Sequence, residues 1–251
     1  AVFPEMTAAL LEPSAASLQE VNRILDHFKN TLGVDVCYLM DARGTTAASS
    51  NRYDPDSFVG LSFAFRPYFQ HAMSNLPGFY MALGTASRKR GAYCSYPVPD
   101  PFGDYPIGVV VLKSSIDVIE ARLGLTSEDI VLVTDPRGVI FISNRGDWLF
   151  NLAWESSARD LELIGRERQF GAGPWKWIGL DISPGQGEAR LEGERYLLHQ
   201  AELDSFPGWR VLHLRNVKAI AAAVSAPFFR ITGPVVLSLC LLIGSGVVLL
   251  Y

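Results

Sequence analysis

The sequence predicts an α+β protein made of two similar modules in series, each an antiparallel five-stranded sheet with helices packed on it. Three observations carry this expectation. The run Val36-Cys-Tyr-Leu-Met-Asp-Ala-Arg-Gly44 is echoed by Ile130-Val-Leu-Val-Thr-Asp-Pro-Arg-Gly138, and 94 residues separate Asp41 from Asp135, which is a domain length. Further strand-like stretches follow each copy in a corresponding order. A length of 251 residues accommodates two domains and one extra element.

The N-terminal segment, residues 1–35, is helical: Leu18, Val21, Ile24, Leu25, Phe28 and Leu32 recur at helical spacing between Ser14 and Gly33. The first module spans residues 36–125. Its opening strand runs into a turn at Asp41-Ala-Arg-Gly44, whose glycine can take a positive φ, and returns through Thr45–Ser49 as a hairpin. Phe63–Met73 is a helical loop around Pro67, and Phe79–Gly84, Gly91–Val98 and Ile107–Lys113 are the remaining strands.

The second module, residues 126–215, repeats the scheme with Ile130–Val133, Val139–Ile142, Arg168–Phe170, Arg195–Glu202 and Trp209–Leu214 as strands. Trp148, Trp154, Trp175 and Trp177 are read as packing residues, not as a cation cage. Residues 216–251 begin with a helical stretch, Asn216–Val224, and continue into Ile231–Tyr251. That run holds no charged residue, is apolar on every face and has Arg230 at its border, which predicts a transmembrane helix with lipid as its partner.

Composition excludes several functions. A net charge of -4 without clustered Lys and Arg gives no footprint for nucleic acid. Cys37, Cys94 and Cys240 match no metal or disulfide framework and are read as free thiols; His27, His71, His199 and His213 are scattered, so no metal and no cofactor is expected. There is no Gly-x-Ser-x-Gly elbow, phosphate-binding glycine loop or zinc helix, so this chain is not expected to be an enzyme. Asp54, Asp56, Asp100 and Asp104 adjoin Pro or Gly and read as turn formers; Arg88-Lys89-Arg90 reads as a solvated hairpin tip.

Four segments of the first module fall in a telling order: Phe63-Ala-Phe-Arg66-Pro-Tyr-Phe69, Ala82-Leu-Gly-Thr85-Ala-Ser87, Arg90-Gly-Ala-Tyr93-Cys-Ser95-Tyr-Pro97 and Gly108-Val-Val-Val-Leu-Lys113. This pattern resembles the double Cache (tandem PAS-like) sensor domains of DctB-type bacterial histidine kinases that detect four-carbon dicarboxylates. The resemblance extends over the whole chain and is weakest in the second module.

The resemblance implies that the first, membrane-distal module binds the ligand and the second, membrane-proximal module relays the change. Carried over by position, Arg66 and Lys113 would hold the carboxylates and Thr85 and Ser87 would add hydroxyls, with Phe63, Tyr68 and Tyr93 around them. Phe63 stands where the family usually has a tyrosine three residues before the arginine. The chemistry fits: a guanidinium fork meets a carboxylate in two parallel hydrogen bonds, and a lysine supplies a compact charge for the other end of a diacid. By position alone both cations would be solvated surface charges, and the motif context reverses that.

The resemblance further implies a bacterial inner-membrane receptor with its soluble part in the periplasm, a homodimer, and a parent histidine kinase whose catalytic core lies beyond residue 251. Two alternatives stay open: a same-fold sensor of an amino acid or monocarboxylate coupled to a chemoreceptor or cyclic-nucleotide output, and a module that reads a periplasmic protein.

Overall fold

The computed structural model describes residues 4–122, 129–183 and 187–222. The chain divides into two compact units. The first comprises Ala1–Leu125 with Ser157–Trp175 and Glu202–Trp209, and the second comprises Thr126–Ser156, Lys176–Ala201 and Arg210–Tyr251.

The first unit opens with α1 (Pro4–Leu11) and α2 (Ala15–Leu32). The ends of α2 follow from its flanks: Ser14 and Ser17 each accept a hydrogen bond from the other's backbone N–H, and Gly33 takes φ 64° at the C-cap. Then come β1 (Val36–Asp41), β2 (Thr46–Ser49), α3 (Pro67–Met73), β3 (Gly78–Leu83), β4 (Arg90–Pro99), β5 (Pro106–Ser115) and α4 (Ile116–Arg122). The strands form one antiparallel sheet in the order β2-β1-β5-β4-β3.

Both faces of this sheet are covered, which is why β1 buries nearly every residue where a half-exposed strand would alternate. One face packs Cys37, Leu39, Ala48 and Val98 against Met6 and Ala9 of α1 and Val21 and Leu25 of α2. The other packs Val36, Tyr38, Met40, Tyr93, Val109 and Val111 against Phe58, Phe63, Tyr68, Phe69 and Ala72. The candidate site lies on this second face. Cys37 and Cys94 are free; each stands opposite Leu112, on either side of β5, so a whole strand separates them.

The second unit contains β6 (Ile130–Thr134) and β7 (Ile140–Ser143). After α5 (Ala158–Glu167), which groups with the first unit, come β8 (Asp181–Ser183), β9 (Glu188–Leu191), β10 (Glu194–Leu203) and β11 (Phe206–Asn216), of which the joining stretch Glu202–Trp209 also groups with the first unit. The sheet order is β7-β6-β11-β10-β9-β8. Leu132, Ile140, Leu180, Ala189, Leu212 and Leu214 form its core, with Trp148 and Trp154 packed against it.

The internal repeat is visible in the hairpins. Asp41 Oδ1 accepts from Arg43 N and Thr45 N, both at 2.9 Å, and Asp135 Oδ1 accepts from Arg137 N at 3.0 Å and Val139 N at 2.7 Å. Each turn closes on a glycine at positive φ, Gly44 at 79° and Gly138 at 92°. The two sheets share the strand order of their first five strands.

Three expectations need correction or fall elsewhere. The second sheet has six strands, because Asp181–Ser183 and Glu188–Leu191 are short strands that pair with each other. Arg168–Phe170 is no strand: Arg168 is the C-cap of α5, and Gln169 turns to the edge of β3 in the first unit. The expected membrane helix, Ile231–Tyr251, lies outside the described residues, and no described helix is long and apolar enough to cross a membrane.

Candidate ligand site in the first unit

Arg66 is placed by the chain around it. Its N–H bonds Phe63 O at 3.0 Å, and its extended backbone (φ -76°, ψ 133°) serves as N-cap of α3, a conformation the following Pro67 enforces. The side chain turns under the helix onto the sheet and is 2% exposed. Nη2 donates to Leu83 O at 2.9 Å at the end of β3, whereas Nη1 is buried with no hydrogen-bond partner. The guanidinium carbon lies 5.0 Å from the Phe65 ring centroid and 5.9 Å from that of Tyr80. A buried cationic donor without an acceptor is costly unless something outside the chain supplies one.

Lys113 reaches the same face by strand periodicity. On β5 it is in phase with the buried Val109 and Val111, and it stands opposite Val36 on β1 and Tyr93 on β4. It too is 2% exposed. Its Nζ donates to Ser87 Oγ at 2.8 Å and lies 5.6 Å and 6.0 Å from the ring centroids of Phe58 and Tyr93. Burial holds the ammonium pKa below the usual lysine value. Gly91 gives the stem its room, since a Cβ there would sit 2.8 Å from Lys113 Cε.

Beside Arg66 lies a cavity with about 10 Å³ of open volume, lined by Tyr38, Phe58, Phe63, Arg66, Tyr68, Gly84, Thr85, Ala86 and Tyr93. That is room for about one water, so a larger ligand enters only as the wall moves. No carboxylate lines it. Tyr38 and Tyr68 share a hydrogen bond of 2.8 Å, and the rings of Tyr68 and Tyr93 stack at 5.2 Å. Desolvation raises all three phenols, Tyr93 to about 12, so they remain neutral donors at physiological pH. Thr85, exposed, stands at the mouth.

The structure thus gathers Phe63, Arg66, Tyr68, Thr85 and Tyr93 on the cavity wall and places Ser87 and Lys113 beside it. Tyr38 and Phe58 were not singled out in the sequence. Tyr38 left a readable signal: a phenol in phase with Val36 and Met40 on a buried strand face must find a hydroxyl partner. Tyr96 is half-exposed and away from the cavity. Arg90 is not solvated: it is 11% exposed in its side chain and grips Glu120 through two bonds of 2.7 and 2.8 Å, with Asp117 at 3.0 Å. Arg88 and Lys89 are exposed.

No family model matches the chain. It is 36% identical over 227 residues to the C4-dicarboxylate transport sensor protein DctB of Rhizobium meliloti, covering 86% of this chain and 35% of that protein. It is 39% identical over 163 residues to the protein of the same name from Pseudomonas aeruginosa, covering 64% of this chain and 26% of that one. The solved DctB sensor domain of the V. cholerae histidine kinase superposes with a TM-score of 0.76 at 28% identity, over 84% of both chains. The chain carries a DctB-type sensor domain.

The chain spans about a quarter to a third of the length of the two curated DctB proteins. The fold is wider than the DctB group. The periplasmic domain of RsbU from Chlamydia trachomatis matches with a TM-score of 0.60 at 12% identity, covering 81% of this chain and 78% of that one. The ligand-binding domain of the Pseudomonas fluorescens chemoreceptor CtaA, in complex with L-leucine, matches at 0.55 and 15%, covering 86% and 84%.

Proposed function

We propose that this chain is the extracytoplasmic sensing region of a membrane-bound sensor histidine kinase, and that the cavity beside Arg66 and Lys113, widened by movement of its wall, binds a four-carbon dicarboxylate such as succinate, malate or fumarate. The observation that carries this reading is the pair of buried cations without an ion-pair partner among the described residues, Asp35 and Asp56 acting on Lys113 only through space. Both are 2% exposed, neither forms an ion pair among the described residues, and Arg66 Nη1 lacks even a hydrogen bond. Buried charges persist when paired, and a small dianion pairs both at once.

In this reading one carboxylate meets Arg66 and the hydroxyl of Thr85, and the other meets Lys113, already steadied on Ser87. Hydrogen bonds to charged groups contribute about 1.5–3 kcal/mol each, so two or three of them less desolvation give micromolar to millimolar affinity. A free amino acid fits less well, because no Asp or Glu lines the cavity to receive its ammonium group. The relatives' names, C4-dicarboxylate transport sensor, agree with the diacid.

The relay belongs to the same proposal. Ligand would draw the α3 loop bearing Arg66 onto the sheet and bias the receptor between two states, a shift of about 5.5 kcal/mol for a complete switch. The chain would lie in the periplasm of a bacterium, anchored in the inner membrane through residues 231–251 and acting as a homodimer. The kinase activity would reside in the part of the relatives that this chain does not match.

Calorimetric titration with succinate, malate, fumarate, acetate and a neutral amino acid tests the ligand. Saturable binding of a diacid that disappears in both Arg66→Ala and Lys113→Ala is expected. Acetate or amino-acid binding that survives Lys113→Ala sinks the dicarboxylate assignment and leaves the fold untouched.

A further inference from the structure

Thr85 and Gly84 line a second concavity besides the ligand cavity. This shallower cleft, of about 290 Å³, is walled by Leu83, Arg88, Gly165, Arg168, Gly171 and Ala172, all within the first unit. Its two cations share an unusual feature. Arg168 caps the C-terminus of α5 at φ 50°, and Arg88, whose N–H bonds Gly84 O at 2.9 Å to close a turn, has φ 55°. Left-handed backbone at a helix end or turn closure is where glycine is preferred, because a Cβ there is strained. At both places the sequence has arginine.

The Arg168 position is not free to relax. The residue after Arg168, Gln169, donates Nε2 to Met81 O at 2.7 Å, and its carbonyl accepts from Leu83 N at 2.9 Å, so it is pinned to the edge of β3. Both arginines are exposed, and neither forms an ion pair among the described residues. Their strain therefore holds two unneutralised charges over one concave surface, and observed strain of this kind points to function.

We propose that this cleft is an anion-capture vestibule: Arg88 and Arg168 draw a small dicarboxylate from solvent to Thr85, from which it passes to Arg66 and Lys113. The inference rests on the dicarboxylate reading of the inner cavity. Like charges lining a cleft focus the field and raise the encounter rate, and a rim charge acts on association more than on dissociation.

The test uses the full chain in uncharged detergent micelles, with succinate as probe, and reads association and dissociation rates by stopped flow. The variants are Arg88→Gly with Arg168→Gly, and Arg88→Gln with Arg168→Gln. Glycine removes charge and strain together, so the glycine pair is expected to melt at the same temperature as the parent or higher. In about 10 mM salt, where charges are felt over roughly 30 Å, association in both double variants falls about tenfold with dissociation unchanged within about twofold. In about 1 M salt, where the screening length is roughly 3 Å, the difference closes.

Association unchanged at low salt, a deficit that persists at high salt, or a fall in melting temperature in both pairs overturns the vestibule. If the parent chain binds succinate and Arg66→Ala does not, while both double variants match the parent, the vestibule alone fails. If the parent takes up no succinate, the reading of the inner cavity fails with it.

Discussion

Arg66 and Leu83 are joined by a single hydrogen bond of 2.9 Å, from Nη2 to the carbonyl at the end of β3, and this bond orients the guanidinium so that Nη1 is left without a partner. One nitrogen anchors and, in the proposed reading, the other is kept for ligand. Arg66→Lys retains the charge and loses this division of labour, because an ammonium group cannot hold Leu83 O and present a planar fork together. The expected result is a loss of succinate affinity of at least tenfold in Arg66→Lys and larger in Arg66→Ala, measured by calorimetry at constant pH.

In the proposed reading Lys113 couples function to stability with opposite signs. Its pKa is lowered in the fold by burial, so over the alkaline range below about 10.5 the unfolded chain holds more protons than the native chain at this group. Stability then rises with pH through that window, as the penalty of burying the charge disappears. Lys113→Met removes this slope, raises the melting temperature of the ligand-free protein at neutral pH, and weakens succinate binding at least tenfold. Binding to the parent chain falls as pH rises through the folded pKa of Lys113. Melting curves of parent and variant over a pH series, with and without succinate, check all of these trends; equal slopes would show that Lys113 is not the titrating group.

Lys113 was legible only through the Gly108-to-Lys113 segment of the family resemblance, since by position alone it read as a solvated charge; on the strand it is in phase with the buried Val109 and Val111. Arg66 was legible through its box, Phe63 to Phe69, and the repeat through Asp41 and Asp135. Phe58 was not, as it sits in a loop, and Tyr38, although within the repeat, carried only its phase with Val36 and Met40 as a signal. The second module was harder. Strands β8 and β9 have three and four residues, too short for alternation to register. Helix α5 carried a cue in Ser157, whose Oγ accepts from Asp160 N at 3.2 Å as an N-cap, but Gly165 and the absence of a glycine after Glu167 hid its end.

Gly84 is fixed by what surrounds it. A Cβ there would lie 2.6 Å from Ser87 Oγ, 3.1 Å from the Tyr93 hydroxyl and 3.2 Å from Lys89 O. The nearest of these groups is the one that steadies Lys113. Gly84→Ala should displace Ser87, loosen Lys113 and reduce succinate affinity by about tenfold or more, with a fall of roughly 1–3 kcal/mol in stability from the overpacked contact. Denaturant unfolding and titration of the same sample separate the two effects.

Tyr38 and Tyr68 form a closed pair, 2.8 Å apart and almost wholly buried. Removing either hydroxyl strands the other, at a cost of about 1–3 kcal/mol, whereas removing both leaves no orphan. Tyr38→Phe with Tyr68→Phe is therefore expected to be less destabilising than the sum of the single changes. A double-mutant cycle from chemical denaturation measures the coupling, and strict additivity would mean that each hydroxyl has another partner.

Phe63 lines the cavity 5.5 Å from Phe58 and 6.0 Å from Tyr38, ring to ring, at the position where the DctB-type pattern has tyrosine. The existing ring contributes burial and no donor. Phe63→Tyr would add a hydroxyl to a cavity that Arg66 lines and Lys113 adjoins, and a hydrogen bond to a carboxylate in such surroundings is worth about 1.5–3 kcal/mol. The ligand-free variant must bury that hydroxyl without a fixed acceptor, so its melting temperature should fall, while succinate affinity should rise about tenfold. Titration calorimetry beside thermal melts checks both movements: a variant that melts lower and binds no tighter places the carboxylate away from Phe63, against the Lys113 side of the cavity.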